Sequence, residues 1–144
     1  MKQHKIVLLP GDGIGPEITA VTKDLLEIVS RKFDFDMTFD EHLIGGDAIK
    51  LTNNPLPKST LEACKRSDAV LMASIGNPQY DQLPRDKRPE TGLLNLRAGL
   101  GLFANIRPVK VWPSLIESSS LKPEFVKGVD LIVVRELTGG IYFG

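Results

Sequence analysis

The chain has little of what would mark a secreted, membrane-spanning or nucleic-acid-binding protein. It has one cysteine in 144 residues, so no intrachain disulfide can form. Cys64 falls inside a helix-like stretch and reads as a small buried hydrophobe rather than a reactive thiol. No apolar run approaches the ~18 residues a membrane helix needs. The start, Met1-Lys2, leads into a strand pattern without the apolar core of a signal peptide. A reducing, cytoplasmic setting is therefore expected. Charge of one sign is also lacking: 18 Lys and Arg balance 18 Asp and Glu. That balance gives no field to draw nucleic acid or an anionic membrane, so anion binding must come from a few placed basic residues. The two histidines, His4 and His42, have no companions at ligand spacing, and no metal site is assigned to the chain.

What is present is the composition and patterning of a globular α/β chain: 42% hydrophobic and 25% charged residues, enough for one ordinary domain. Residues 5–9 (KIVLL) form a short apolar run of the kind buried on both faces of a parallel sheet. After the turn Gly11-Asp12-Gly13-Ile14-Gly15 comes a helix, with Pro16 and Glu17 suited to its first turn. Ile18, Val21, Leu25 and Ile28 give it an apolar stripe to about residue 32. Phe35, Met37 and Phe39 alternate as in a half-exposed strand. Gly45-Gly46 and Asn53-Asn54-Pro55 read as turns, and Pro57 opens a helix with Leu61 and Cys64 inward. Residues 69–73 (AVLMA) read as a second buried strand and 131–134 as the last one. Residues 103–112 are strand-like, with Pro108 predicting an edge or a bulge. Residues 76–92 make a long connection rich in proline, glycine and charge, a length that favours a functional loop.

Four places carry possible chemistry. The glycine turn fails the dinucleotide fingerprint G-x-G-x-x-G, because Pro16 stands at the third glycine and Asp12 brings a carboxylate where a pyrophosphate wants amides. A turn shaped for close approach of a ligand or another backbone fits better. On the helix predicted over 91–100, Leu93 and Arg97 share a face, with Glu90 one turn before. That face suits a branched alkyl group beside a carboxylate, yet spacing alone is better explained by Leu93 in the core and Arg97 in solvent. Arg107 and Arg135 each sit at the edge of a strand pattern and carry the fork that grips carboxylates. Tyr142 follows the Gly139-Gly140 pair. Alone it reads as a core-edge aromatic, and as a proton donor only if the fold gathers the arginines around it.

Several motifs in order give these residues a family. The chain has LLPGDGIGPE at 8–17, GGDAI at 45–49 and TLEAC at 60–64. It has RPETGLLNLR at 88–97, LFANIRPVKVWP at 102–113 and RELTGGIYFG at 135–144. In these it resembles the β-decarboxylating hydroxyacid dehydrogenases, most closely the branch acting on 3-isopropylmalate. The resemblance implies an α/β fold of the isopropylmalate dehydrogenase type, not a standard Rossmann fold. It implies that residues 1–102 begin the large cofactor-binding domain and 103–144 begin a second, substrate and dimer domain. Arg97, Arg107 and Arg135 would bind substrate carboxylates, Leu93 would line the alkyl pocket, and Tyr142 would be catalytic. Ile14, Asn77, Pro78, Asp81 and Glu90 would contact NAD. One departure is Asn77, where the family often has a glycine. The implied reaction is oxidation at C2 with hydride transfer to NAD, then loss of carbon dioxide, assisted by Mg2+ or Mn2+. The metal ligands and a catalytic lysine are expected beyond residue 144, so the chain is read as an N-terminal portion that alone forms no NADH. The sibling substrates are tartrate, D-malate and isocitrate. Leu93-Leu94 disfavours isocitrate, whose extra carboxylate would be buried unpaired. A homodimer is implied for the full-length enzyme.

Overall fold

A computed structural model describes residues 3–137 and residue 139. It divides into two compact units, Met1–Gly101 and Leu102–Gly144.

In the first unit three parallel strands lie in the order β2-β1-β3: β1 (Gln3–Gly11), β2 (Asp36–Glu41) and β3 (Ala69–Ser74). The register sets Gln3 opposite Asp36 and Leu8 opposite Glu41 on one side, and Ile6 opposite Ala69 and Gly11 opposite Ser74 on the other. The apolar run thus becomes the central strand, and Val7 to Gly11 are buried. Between β1 and β2 runs α1 (Gly15–Phe33); between β2 and β3 run α2 (Gly45–Thr52) and α3 (Lys58–Lys65). Alternation along β1 divides its side chains between two faces. Val7 and Leu9 join Ile44, Leu56, Ala63, Cys64 and Leu96 in the core, while Leu8 lines a cavity with Thr19 and Ala20 of α1. Fully burying side chains such as Leu8, Leu9 and Ile44 stabilises by roughly 1.5–3 kcal/mol each.

Proline and glutamate start α1 as expected, and Asp34 in the left-handed region (φ 55°) ends it by donating its N–H to Ser30 O. The glycine pair at 45–46 does not make a turn; it opens α2. Its helical role was hidden because glycine is a poor helix former, and the reason for it is tertiary. The long connection also has structure: 3-10 turns at Pro78–Tyr80 and Arg85–Lys87, then α4 (Pro89–Gly99), which starts two residues earlier than expected. The helix with its apolar stripe runs to Phe33, as expected. Within that stripe Ile18, Val21, Leu25 and Ile28 are exposed among the described residues, while Gly15 and Thr19 are the helix's buried residues.

In the second unit β4 (Ala104–Lys110) pairs antiparallel with β5 (Asp130–Glu136), with a 3-10 segment (Pro113–Ser118) and α5 (Pro123–Val126) between them. The pairing runs unbroken from Ala104 opposite Glu136 to Lys110 opposite Asp130. Pro108 therefore makes no bulge; it sits in a ladder where, among the described residues, each strand has a free edge. Residues 131–134 were expected to be buried and are exposed instead, because no layer covers the ladder among the described residues.

Candidate functional site at the strand ends

In the order β2-β1-β3 the chain leaves β1 to one side and returns to the other. The carboxyl ends of β1 and β3 therefore flank a switch point, where open α/β sheets take their ligands. The glycine turn and the loop after β3 both emerge there, and Asp12 holds them together. It is 4% exposed, and its backbone N–H donates to Ser74 O at 2.7 Å. Its carboxylate accepts from Gly76 N (Oδ2, 2.9 Å) and from Asp47 N (Oδ1, 3.1 Å). Asp47 lies in the first turn of α2, whose N-cap, Ile44, offers no side-chain acceptor. Asp12 thus satisfies an open N–H of that helix from a distant segment.

The residues expected to contact NAD collect around this link. Ile14 follows Asp12 by two positions and is 54% exposed at the start of α1. Asn77 follows Gly76; its Oδ1 accepts from Gln79 N at 3.1 Å, which leaves the amide NH2 to donate. Pro78 and Asp81 begin and cap the 3-10 turn and are exposed. Glu90, exposed in the first turn of α4, reaches back so closely that a Cβ added at Gly76 would lie 2.9 Å from its Oε1. Gly76 itself has φ +116°, a conformation that a side chain would strain.

This rim suits hydroxyl and amide groups better than phosphate. Asp81 and Glu90 accept hydrogen bonds, Asn77 can donate one, and Ile14 offers an apolar surface. The amides of Gly76 and Asp47 are already taken by Asp12, Gly15 N–H donates to Asp12 O, and Pro16 removes one further N–H from the first turn of α1.

On α4 the core contacts are made by Gly92 and Leu96, not by Leu93 as spacing alone suggested. Leu96 is buried, and a Cβ at Gly92 would lie 2.6 Å from Pro55 O. Leu93 and Arg97 are displaced one position around the helix and are both half-buried. The guanidinium of Arg97 has no hydrogen-bond or ion-pair partner among the described residues.

In the second unit the register sets Asn105 opposite Arg135 and Arg107 opposite Val133. Directly opposed residues share a face, as do residues two apart, so Arg107, Asn105 and Arg135 lie on one face of the ladder. The two arginines are diagonal neighbours there, and Arg107 Nε donates to Asn105 Oδ1 at 2.8 Å. Tyr142 lies outside the described residues. No group of three or more His, Cys, Asp or Glu is gathered for a metal ion among the described residues. Nor is any helix among them long and apolar enough to cross a membrane.

Three contributors to the rim escape sequence reasoning. Asp12 reads there only as unfavourable to phosphate. Gly46 is explained by a ring: its added Cβ would lie 2.2 Å from Tyr80 Cε2. Tyr80 Oη donates to Gly46 O at 2.9 Å, and no local pattern signals it. For Tyr80 the glycine pair was the available hint, as the Gly11–Gly15 turn was for the close approach of another backbone, where a Cβ at Gly11 would lie 2.0 Å from Ser74 O.

Helices on a parallel sheet, with a rim of largely exposed side chains at the strand ends, define an α/β protein with an open switch point, the place where such sheets take their ligands. The chain belongs to the isocitrate/isopropylmalate dehydrogenase family, whose profile matches residues 5–144. It is 68% identical over all 144 residues to a 3-isopropylmalate dehydrogenase of Synechococcus sp. (strain CC9605), covering 40% of that protein. With the protein of the same name from Synechococcus elongatus it is 62% identical over 143 residues, 99% of this chain and 39% of the relative. Among solved structures, an isocitrate dehydrogenase from Methylococcus capsulatus superposes with a TM-score of 0.77 at 28% identity. That match covers 98% of this chain and 37% of the other. A β-decarboxylating dehydrogenase from Thermococcus kodakarensis matches with a TM-score of 0.67 at 28% identity, over 92% of this chain and 33% of its own. The chain thus spans about 40% of the length of the curated relatives it matches.

Proposed function

We propose that this chain supplies the dinucleotide rim and the carboxylate grip of an NAD-dependent 3-isopropylmalate dehydrogenase acting in leucine biosynthesis. The observation that carries this reading is the 62% to 68% identity, over essentially the whole chain, to proteins of that name. The geometry supports it. Arg107 and Arg135 share a face and offer two forks for a substrate with two carboxylates. Arg97 offers a third guanidinium that no described residue neutralises, and Leu93 offers an alkyl contact on the same helix. Each charged hydrogen bond to a carboxylate contributes about 1.5–3 kcal/mol. Ile14, Asn77, Pro78, Asp81 and Glu90 hold the dinucleotide, the acids through hydroxyl groups and Asn77 through its free NH2.

When bound, NAD would supply the hydride acceptor for C2, and the hydroxyl proton would pass to a base of the full-length enzyme as the ketone forms. The protein's part is placement. The arginines fix both carboxylates, so that the one β to the new ketone can leave as carbon dioxide. The electron pair left by carbon dioxide forms an enolate, and Tyr142 delivers a proton to its C3. Mg2+ or Mn2+ is expected in the full-length enzyme, but the described residues do not form its site and no step here runs through it. A cytoplasmic homodimer completes the reading, with residues 1–102 in the cofactor domain and 103–144 in the substrate and dimer domain.

The test is NADH formation by the full-length protein with 3-isopropylmalate and with D-malate. The expected result is a preference for 3-isopropylmalate of at least tenfold in kcat/KM, since the alkyl group adds apolar contact at Leu93. A preference for D-malate would overturn the substrate assignment.

A further inference from the structure

The dehydrogenase reading leaves two features unexplained: a buried carboxylate in the glycine turn, and a glycine pair at the start of a helix. One contact accounts for both. Asp12 approaches α2 so closely that a Cβ at Gly45 would lie 2.6 Å from Oδ2, and one at Gly46 would lie 2.8 Å from Oδ1. Two glycines are what let the carboxylate reach Asp47 N with one oxygen while the other takes Gly76 N. Gly46 has a second neighbour. Tyr80, at the far end of the same loop, lays its ring over Gly46 and donates its hydroxyl to the Gly46 carbonyl at 2.9 Å. The loop 76–80 is therefore fastened twice to the amino end of α2, through its first amide by way of Asp12 and through Tyr80 directly. Between the two fastenings lie Asn77 and Pro78, and just beyond the second lies Asp81.

We propose that Asp12 is a positioning residue for cofactor binding. Its carboxylate, seated against Gly45-Gly46, sets the shape of the loop that presents Asn77, Pro78 and Asp81, and Tyr80 is the second anchor of the same device. The proposal rests on the dinucleotide reading of that loop. Asp12 touches no reacting atom, so it acts on dinucleotide affinity and not on the chemical step. Replacement by asparagine keeps the size but turns one acceptor into a donor. An NH2 group then faces the N–H of either Gly76 or Asp47, and that bond cannot form.

Two readouts on the full-length protein separate the clasp from the cofactor reading. The first is amide hydrogen exchange over residues 75–81 without any nucleotide. Asp12→Asn is expected to raise exchange there at least tenfold, and Tyr80→Phe, which removes only the hydroxyl, to raise it severalfold. The second is the KM split. Both variants are expected to raise the KM for NAD, Asp12→Asn by about tenfold, with kcat and the KM for the hydroxyacid within twofold of the parent. Unchanged exchange in both variants would overturn the clasp. Faster exchange with an unchanged KM for NAD would overturn the link from loop to cofactor. A parent protein without NAD turnover would refute the dehydrogenase reading, while the exchange measurement still decides the clasp. If Asp12→Asn does not fold, Tyr80→Phe alone carries both readouts, and its failure to move either one overturns the proposal.

Discussion

The two units differ in how much of their sheet they cover. In Met1–Gly101 the central strand has a neighbour on each side and helices packed on it, and Val7, Leu8 and Leu9 are almost wholly removed from water. In Leu102–Gly144 every residue of β5 is exposed, and so are the last five of β4. A parallel strand requires cover on both faces, whereas an antiparallel pair can form with its faces open. The same apolar content therefore has different consequences. In the first unit it makes a core; in the second Leu131, Ile132, Val133 and Val134 lie at the surface. Two strands alone are marginal in water, so this ladder contributes little stability through its own packing.

This contrast can be broken most sharply by truncating one apolar side chain in each unit. Leu9→Ala empties a site with 0% exposure and should lower the stability of the full-length protein by about 2–5 kcal/mol. Ile132→Ala, at a position 61% exposed, should stay within about 0.5 kcal/mol. Urea unfolding followed by far-UV circular dichroism compares them, and equal losses would mean that the ladder is covered in the full-length protein.

A smaller effect sharpens the contrast at the edge of the parallel sheet. On β2 the Asp40 carboxylate is held below its ordinary pKa of 3.8, chiefly by the His42 imidazole 3.1 Å from its Oδ2, with Lys5 adding to the effect. A carboxylate with a lowered folded pKa adds stability above its unfolded pKa and loses it as pH falls through the folded value. Asp40→Asn should therefore be slightly less stable than the parent at pH 5–6, and the difference should vanish as pH falls below the folded pKa. Because the Asp40 side chain is largely open to solvent the gap is small, and a gap that persists at the acid end would contradict the assignment.

Much of this was legible in the sequence where a pattern is local. The apolar run at 5–9 became the central strand, Pro16 and Glu17 opened α1, and Pro57 preceded α3. The motifs at 8–17 and 88–97 pointed to the family to which the chain belongs. What stayed hidden depends on contacts between distant segments. Gly45-Gly46 resembles a turn until Asp12 is placed against it. Leu93 resembles a core residue until Gly92 and Leu96 are seen to take that role. The shared face of Arg107 and Arg135 depends on a register that neither strand specifies alone. Burial was the other hidden quantity, since the patterns at 18–28 and 131–134 say that a face is apolar but not what covers it.

The central claim is that Arg97, Arg107 and Arg135 grip the substrate carboxylates while the strand-end rim holds the dinucleotide. Steady-state kinetics of Arg97→Met, Arg107→Met and Arg135→Met in the full-length protein test it most directly. At about 1.5–3 kcal/mol for each charged hydrogen bond lost, kcat/KM for the hydroxyacid should fall by roughly ten- to a hundredfold per substitution, with the KM for NAD unchanged. Parent-like values for the hydroxyacid, or a rise in the KM for NAD in its place, would contradict the account.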